Sequence, residues 1–344
     1  MIQARYNRAL DSEFIPFLHD KRFGYLLHDL PTLKGESYAL DVQIREHNKI
    51  MYYHGTTCLL VITLAASGLD KLKFKASAHN FYTQHSTCAG LFEELVKLGK
   101  DSPVDAAGLF RDYLAAALMI APNSHYGNHA EGFWQNRLCH RFGRKFQRDD
   151  EWLVVDRECV IGFKSRGEKD AFYRPILAEF DGVCERIRAA GDDKWRSSNL
   201  NKSYGDELDM LAVDRNGNLL AVELKYGSNS NGITWGSVQV GLYGKAFSTQ
   251  LEFLSPMVLR LIKQKIELGL LPPYARDRLP DDGFHNVTPV LAVAKAKLKS
   301  NCWSRMAEVM DVAGPAEIVT IDSVNRTPVA ISGMRSHHIV VNDA

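Results

Sequence analysis

The sequence lacks the features that would place this chain in a membrane or brace it with disulfide bonds. Its most apolar runs, TCLLVITLAA and YLAAALMIA, fall well short of the roughly 20 residues needed to span a bilayer. The amino terminus shows no apolar export segment, and the six cysteines are widely scattered without a CxxC pair. We therefore expect a soluble, cytoplasmic protein with reduced thiols.

The sequence also lacks an excess of charge of either sign. Its 42 Lys and Arg residues face 41 Asp and Glu residues, for a net charge of +1. Any site for a polyanion must therefore be a local patch. Neither a phosphate-binding loop nor a dinucleotide fingerprint, G-x-S-x-G or HExxH is present, which argues against ATP-driven and hydride-transfer chemistry.

The 344 residues are sufficient for two domains, and 45% of them are apolar. Alternation of apolar and polar residues over 37–77 predicts an antiparallel meander, and helical spacing follows over 88–121. The polar stretch PNSHYGNHA, 122–130, is a candidate boundary. We predict a smaller α+β domain over 1–122, serving recognition or a protein partner, and a second domain over 123–344.

The second domain mixes helices and strands, which predicts an α/β core. Its sequence indicates a helix over 130–141, a charged and less regular insertion over about 150–203, and a hairpin over 205–227. Further elements follow toward the carboxyl terminus. These are helices near 237–248, 255–268 and 302–313, and strands over 287–296, 317–322 and 328–333.

The hairpin GDELDMLAVDRNGNLLAVELKYG, 205–227, places charged residues among apolar ones. Its turn lies at 215–217, where a glycine tolerates positive φ. A two-residue loop would send Asp209 and Glu223 to opposite faces, because side chains alternate with period two. A three-residue loop pairs Asp209 with Glu223 on one face and points Lys225 the same way, and this is the register we predict.

Two facing carboxylates repel, and burying them is costly unless a positive charge compensates. Lys225 can offset one charge, whereas a divalent cation would offset both. Carboxylate oxygens are ligands that Mg²⁺ prefers, and substrate phosphate commonly completes its shell. The hairpin thus suggests metal-assisted attack on a phosphodiester.

The pattern of Asp209 followed by Glu223-Leu224-Lys225 after a glycine turn resembles the PD-(D/E)xK nuclease superfamily. Leu208 stands where the nominal motif has proline. Downstream, Gln239 and Tyr243 resemble the Q-x3-Y element of the RecB-like branch, and their spacing puts both on one helix face. The resemblance implies a restriction-endonuclease-like mixed sheet flanked by helices.

The resemblance also implies roles for the matched residues. Asp209 and Glu223 would bind Mg²⁺, for which Mn²⁺ can substitute, with the Leu224 carbonyl as a further ligand. Lys225 would orient or help deprotonate the attacking water and stabilise the charge that develops on the phosphate.

Residues on helices would complete such a site. Gln239 would position the lysine or the substrate, and Tyr243 would support the helix or touch the nucleic acid. The superfamily usually also supplies a Glu from a helix before the first motif strand, which would complete the metal shell or hold a second ion. Glu131, in HAEGFWQNRLCHRFG, is the first choice and Glu179, in YRPILAEFDGVCERI, is the alternative; the sequence does not decide between them.

The function implied is that of a metal-dependent nuclease, acting on DNA in preference to RNA, with RNA left open as a substrate, in defence and restriction or in repair and recombination. A homodimer, or a protein partner bound through the N-terminal domain, is compatible with this function. Two alternatives stay open. One is a non-catalytic nucleic-acid-binding or scaffolding member of the same fold, and the other is an effector nuclease that a small ligand switches on.

Overall fold

The chain forms two compact units. The four-stranded unit comprises 7–148 and 257–277, and the six-stranded unit comprises 1–6, 149–256 and 278–344. The computed structural model describes residues 2–30, 40–66, 72–98, 106–121, 130–190, 207–323 and 336–340. Within those ranges, no helix combines the length and the apolar character needed to cross a bilayer.

The predicted meander is confirmed in the four-stranded unit, where four strands pair antiparallel in chain order. The last strand shows the period-two pattern most clearly, because Leu72, Phe74 and Ala76 are buried and alternate with exposed residues. The strands are β1 (Asp41–Arg45), β2 (Lys49–His54), β3 (Thr57–Ala66) and β4 (Leu72–Ser77).

Helices precede and follow this sheet. The helical spacing predicted for 88–121 is confirmed by α4 and α5, and most of the predicted boundary, 122–129, lies outside the described residues. The predicted helix at 130–141 is also present and continues into a π-helical turn, His140–Arg144. The helices are α1 (Ile15–His19), α2 (Lys21–His28), α3 (Asn80–Gln84), α4 (Ala89–Leu98), α5 (Ala107–Ile120) and α6 (Glu131–Cys139).

The six-stranded unit contains a mixed sheet, which agrees with the predicted α/β class. Its strand order is β10-β9-β8-β7-β6-β5; the β5-β6-β7 pairs are antiparallel and those from β7 to β10 are parallel. The strands are β5 (Leu153–Cys159), β6 (Leu208–Val213), β7 (Leu219–Tyr226), β8 (Val287–Ala294), β9 (Glu317–Asp322) and β10 (Ser336–Val340).

The prediction of an irregular stretch over 150–203 is wrong for most of its length. Residues Leu153–Cys159 form β5, an edge strand of the sheet, and Arg166–Ala190 form the 25-residue helix α7. The helix buries a narrow apolar stripe and exposes many charges, so its amphipathic period is weak in the sequence. The buried stripe consists of Phe172, Ile176, Phe180, Val183 and Ile187.

The described residues after the hairpin form the α-helices α8 (Ser230–Thr249), α9 (Leu251–Glu267) and α10 (Cys302–Ala313). Helix α8 can approach β8 closely because Gly236 has no Cβ, which would lie 2.5 Å from Cδ1 of Leu291. The strand predicted over 328–333 lies outside the described residues. Helices α8 and α10 bury one face of the sheet through Ile233, Val240, Leu291, Val293, Cys302, Trp303, Met306, Ala316 and Ile318.

We predict that Gly227→Ala destabilises the six-stranded unit by about 3 kcal/mol. A Cβ at Gly227 would collide with the backbone carbonyl oxygen of Lys295, and this carbonyl has no side-chain freedom with which to move away. Chemical denaturation should measure the change. Gly167→Ala is the control in the same unit, because its Cβ would meet only Ser165 Oγ at 3.9 Å; equal stability of the two variants would contradict the prediction.

We also predict a pH-dependent stability that involves His140. The pKa of His140 is lowered from 6.5 to about 4, mainly by burial and also by the positive charges of Lys145 and Arg144, while Asp41 opposes the change. The unfolded state then binds the proton more readily, so the free energy of unfolding should fall as pH drops from about 6.5 toward 4. Thermal unfolding across this range should show a flatter profile for His140→Gln than for the wild type; parallel profiles would contradict this.

Candidate active site

The turn of the hairpin has the three-residue length predicted from the sequence, with residues 215–217 in the loop. The Asp214 N–H donates to the Asn218 carbonyl at 3.0 Å, and Gly217 has a φ of +77°, where glycine is favoured. Beyond the turn, β6 and β7 pair in the register that sets Met210 opposite Val222. Asp209 and Glu223 are the next pair in this register.

The two carboxylates and the lysine meet as expected. Lys225 Nζ donates to Glu223 Oε1 at 2.5 Å, and the Leu224 N–H donates to Asp209 Oδ2 at 2.7 Å. The β6–β7 ladder ends at the preceding pair, so the carboxylate of Asp209 takes the place of a backbone acceptor. The prediction that Asp209, Glu223 and Lys225 share one face is confirmed.

Burial makes it unfavourable to keep these side chains charged. Glu223 is 2% exposed and Lys225 is 8% exposed, whereas Asp209 is partly buried. Burial raises the pKa of Asp209 well above its ordinary value, and the charge of Glu223 raises it further, while Lys225 and the Leu224 amide act in the opposite direction. One lysine therefore does not fully offset two carboxylates at this point.

The face on which the acids lie is the one that α8 covers. Glu223 is paired with Leu291 and Lys225 with Val293 on the neighbouring parallel strand, and both of these partners belong to the core beneath α8. Residues opposite each other in a sheet point to the same side. The tight packing of α8 thus brings its own side chains over the carboxylates.

Gln239 and Tyr243 lie on one face of α8, as their four-residue spacing predicted. Their side chains are hydrogen-bonded to each other. Burial raises the pKa of Tyr243, the charges of Glu223 and Asp209 raise it further, and the bond with Gln239 opposes the change. The tyrosine therefore keeps its proton and presents a neutral hydroxyl beside the carboxylates.

The two glutamates proposed from helices have different surroundings. Glu179 on α7 has a side chain that is 56% exposed and lies 3.6 Å from Lys245 Nζ at the surface. The charge of Glu179 is not among those that shift the pKa of Asp209. Glu131 is partly buried in the first turn of α6, which belongs to the four-stranded unit, and its proposed role stays a prediction.

Sequence reasoning missed one carboxylate near the pair, Glu158 on β5. The flanking pairs, Arg157 with Met210 and Cys159 with Leu208, set Glu158 opposite Asp209. Its charge contributes to the raised pKa of Asp209. The apolar run LVV before DRECVI was the available signal for a strand here.

The donor set of the hairpin fits a divalent cation bound by few protein ligands. Among the described residues, no group of three or more His, Cys, Asp or Glu side chains is arranged to hold a metal ion. Mg²⁺, however, is commonly held by one or two carboxylates together with waters and substrate phosphate. Burial and the charge of Glu223 raise the pKa of Asp209, and such a cation would oppose both effects.

We predict that Asp209→Asn, without divalent cations, raises the free energy of unfolding by about 1 kcal/mol. Asparagine can still accept from the Leu224 amide, but it removes a charge that burial and Glu223 disfavour. Chemical denaturation in EDTA should measure this change. Asp170→Asn, at a side chain 59% exposed, is the control. A loss of stability for Asp209→Asn would contradict the expected repulsion.

Comparisons of the chain with protein-family models, with curated proteins and with solved structures found no match.

Proposed function

We propose that this protein is a metal-dependent nuclease that hydrolyses phosphodiester bonds, with DNA as its preferred substrate. The observation that carries the proposal is the pair of the partly buried Asp209 and the buried Glu223 on adjacent strands, with Lys225 hydrogen-bonded to Glu223. A purely structural hairpin has little reason to hold such a pair, since burying like charges is unfavourable. Function is a common reason for keeping such strain.

Asp209, Glu223 and the Leu224 carbonyl would hold Mg²⁺, and Mn²⁺ can substitute for it. When bound, the ion supplies Lewis-acid polarisation of the phosphate and activation of a water. The protein contributes two carboxylates on neighbouring strands, whose positions are set by the three-residue turn.

Lys225 supplies the fixed positive charge of the site. Its ammonium is 8% exposed and is held by Glu223 at 2.5 Å, so its position is set before substrate binds. A preorganised donor of this kind stabilises the negative charge that develops on a phosphate in the transition state. The same ammonium can orient the attacking water.

Gln239 and Tyr243 act as a pair from the helix that covers the acids. Their mutual hydrogen bond restrains both side chains. We assign Gln239 to positioning the lysine or the substrate, and Tyr243 to supporting α8 or contacting the nucleic acid. The role that the resemblance implies for Glu131, to complete the metal shell or hold a second ion, stays a prediction, because Glu131 belongs to the four-stranded unit.

The wider setting of the reaction is part of the same proposal. DNA is preferred over RNA, and defence and restriction or repair and recombination are the processes considered. The four-stranded unit would recognise a substrate feature or a protein partner, or would support a homodimer. A ligand-switched effector is less well supported, because the sheet of this unit is an antiparallel meander rather than a parallel nucleotide-binding sheet.

We predict that Glu223→Gln and Lys225→Met each lower the cleavage rate by at least about 100-fold, because each removes a charge that acts on the reacting phosphate. The assay uses circular DNA, linear double-stranded DNA, single-stranded DNA and RNA, with Mg²⁺ or Mn²⁺. Glu151→Gln is the matched control, since Glu151 has a side chain 57% exposed and pairs with Arg215 at the surface.

The outcomes separate the candidate functions. Cleavage that is equal in the wild type and in both site variants would show that another activity is being measured, and would refute the assignment. Tight nucleic-acid binding without cleavage of any substrate would favour the non-catalytic binding or scaffolding alternative. Cleavage lost in the site variants but kept in Glu151→Gln supports the nuclease.

A further inference from the structure

Glu158 occupies a row of three acids that runs across three neighbouring strands. In the registers of β5 with β6 and of β6 with β7, Glu158 faces Asp209 and Asp209 faces Glu223. Strands in a sheet lie roughly 5 Å apart, so each acid is next to the following one. The edge strand therefore supplies an acid next to Asp209.

The backbone at Glu158 is in an unfavourable conformation. Its φ is +46°, in the left-handed region that non-glycine residues seldom adopt. Asn is the ordinary side chain best tolerated there, and glycine has no penalty at all. The chain nevertheless has a glutamate at this position. Such strain at a partly buried position points to a requirement for the carboxylate itself.

The side chain of Glu158 is held in place by its neighbour. It is 16% exposed, and its Oε1 lies 3.6 Å from the guanidinium of Arg157, whose side chain is fully buried. An exposed glutamate would be screened by water, whereas a charge at this depth acts strongly on groups nearby. The group that faces it is Asp209.

We propose that Glu158 is a positioning residue of the cation site, whose negative charge beside Asp209 strengthens the binding of the divalent cation that Asp209 and Glu223 hold. This inference rests on the proposed function. Glu158 is not assigned as a ligand, because the described His, Cys, Asp and Glu side chains form no group of three arranged around an ion. It acts through the field at Asp209, which it faces across β5 and β6.

The test is calorimetric titration of the full chain with Mn²⁺, which is a readout independent of cleavage. We expect Glu158→Gln and Glu158→Asn to weaken Mn²⁺ binding about tenfold, since each removes one nearby charge. Glu158→Asp keeps the charge and should bind close to the wild type, as should the surface control Glu151→Gln. Asp209→Asn is the reference variant for the loss of a direct ligand.

The free energy of unfolding, measured in EDTA, distinguishes the loss of the Glu158 charge from a loss of structural stability. Glu158→Asn should be at least as stable as the wild type, because asparagine suits the positive φ at this position. Weaker Mn²⁺ binding by a variant that is equally or more stable supports the positioning role.

Three results would overturn the inference. If Glu158→Gln binds Mn²⁺ as tightly as the wild type while Asp209→Asn does not, the inference fails and the proposed nuclease stands. If Glu158→Asp binds as weakly as Glu158→Gln, side-chain shape rather than charge matters at this position. If the wild type binds no Mn²⁺, the inference and the proposed cation site fail together.

Discussion

The repulsion between Asp209 and Glu223 is the constraint on which the rest of the site depends. The two carboxylates face each other across β6 and β7, and Lys225 lies 2.5 Å from one of them. Glu158 adds a further negative charge from β5. Binding of a divalent cation would relieve this repulsion. The same cation would supply the chemistry of phosphodiester hydrolysis.

The fold supports this constraint through two local features. A three-residue turn with glycine at positive φ sets the register, and a one-residue change would send one carboxylate to the other face of the sheet. The close approach of α8 to β8, which Gly236 allows, then covers the acids with a helix that carries Gln239 and Tyr243. Glu223, which is 2% exposed, is shielded from water, and this strengthens its charge interactions.

Much of this arrangement could be predicted from the sequence because the signals are local. The glycine turn and the period-two alternation predicted the hairpin register, and the four-residue spacing placed Gln239 and Tyr243 together. Glu158 and α7 were missed for the opposite reason. The residues that a charged strand residue faces are decided by the strand with which it pairs. Helix α7 has an apolar stripe too narrow to be recognised among its many charges.

The sequence by itself determined which residues could face one another in the hairpin, since turn length and alternation are properties of the chain alone. Only the tertiary structure decided which further acid joins them and which does not. Glu158 is brought beside Asp209 by the pairing of β5 with β6, whereas Glu179 is left exposed at the surface against Lys245. Both choices depend on contacts between residues far apart in the chain, and periodicity carries no information about such contacts.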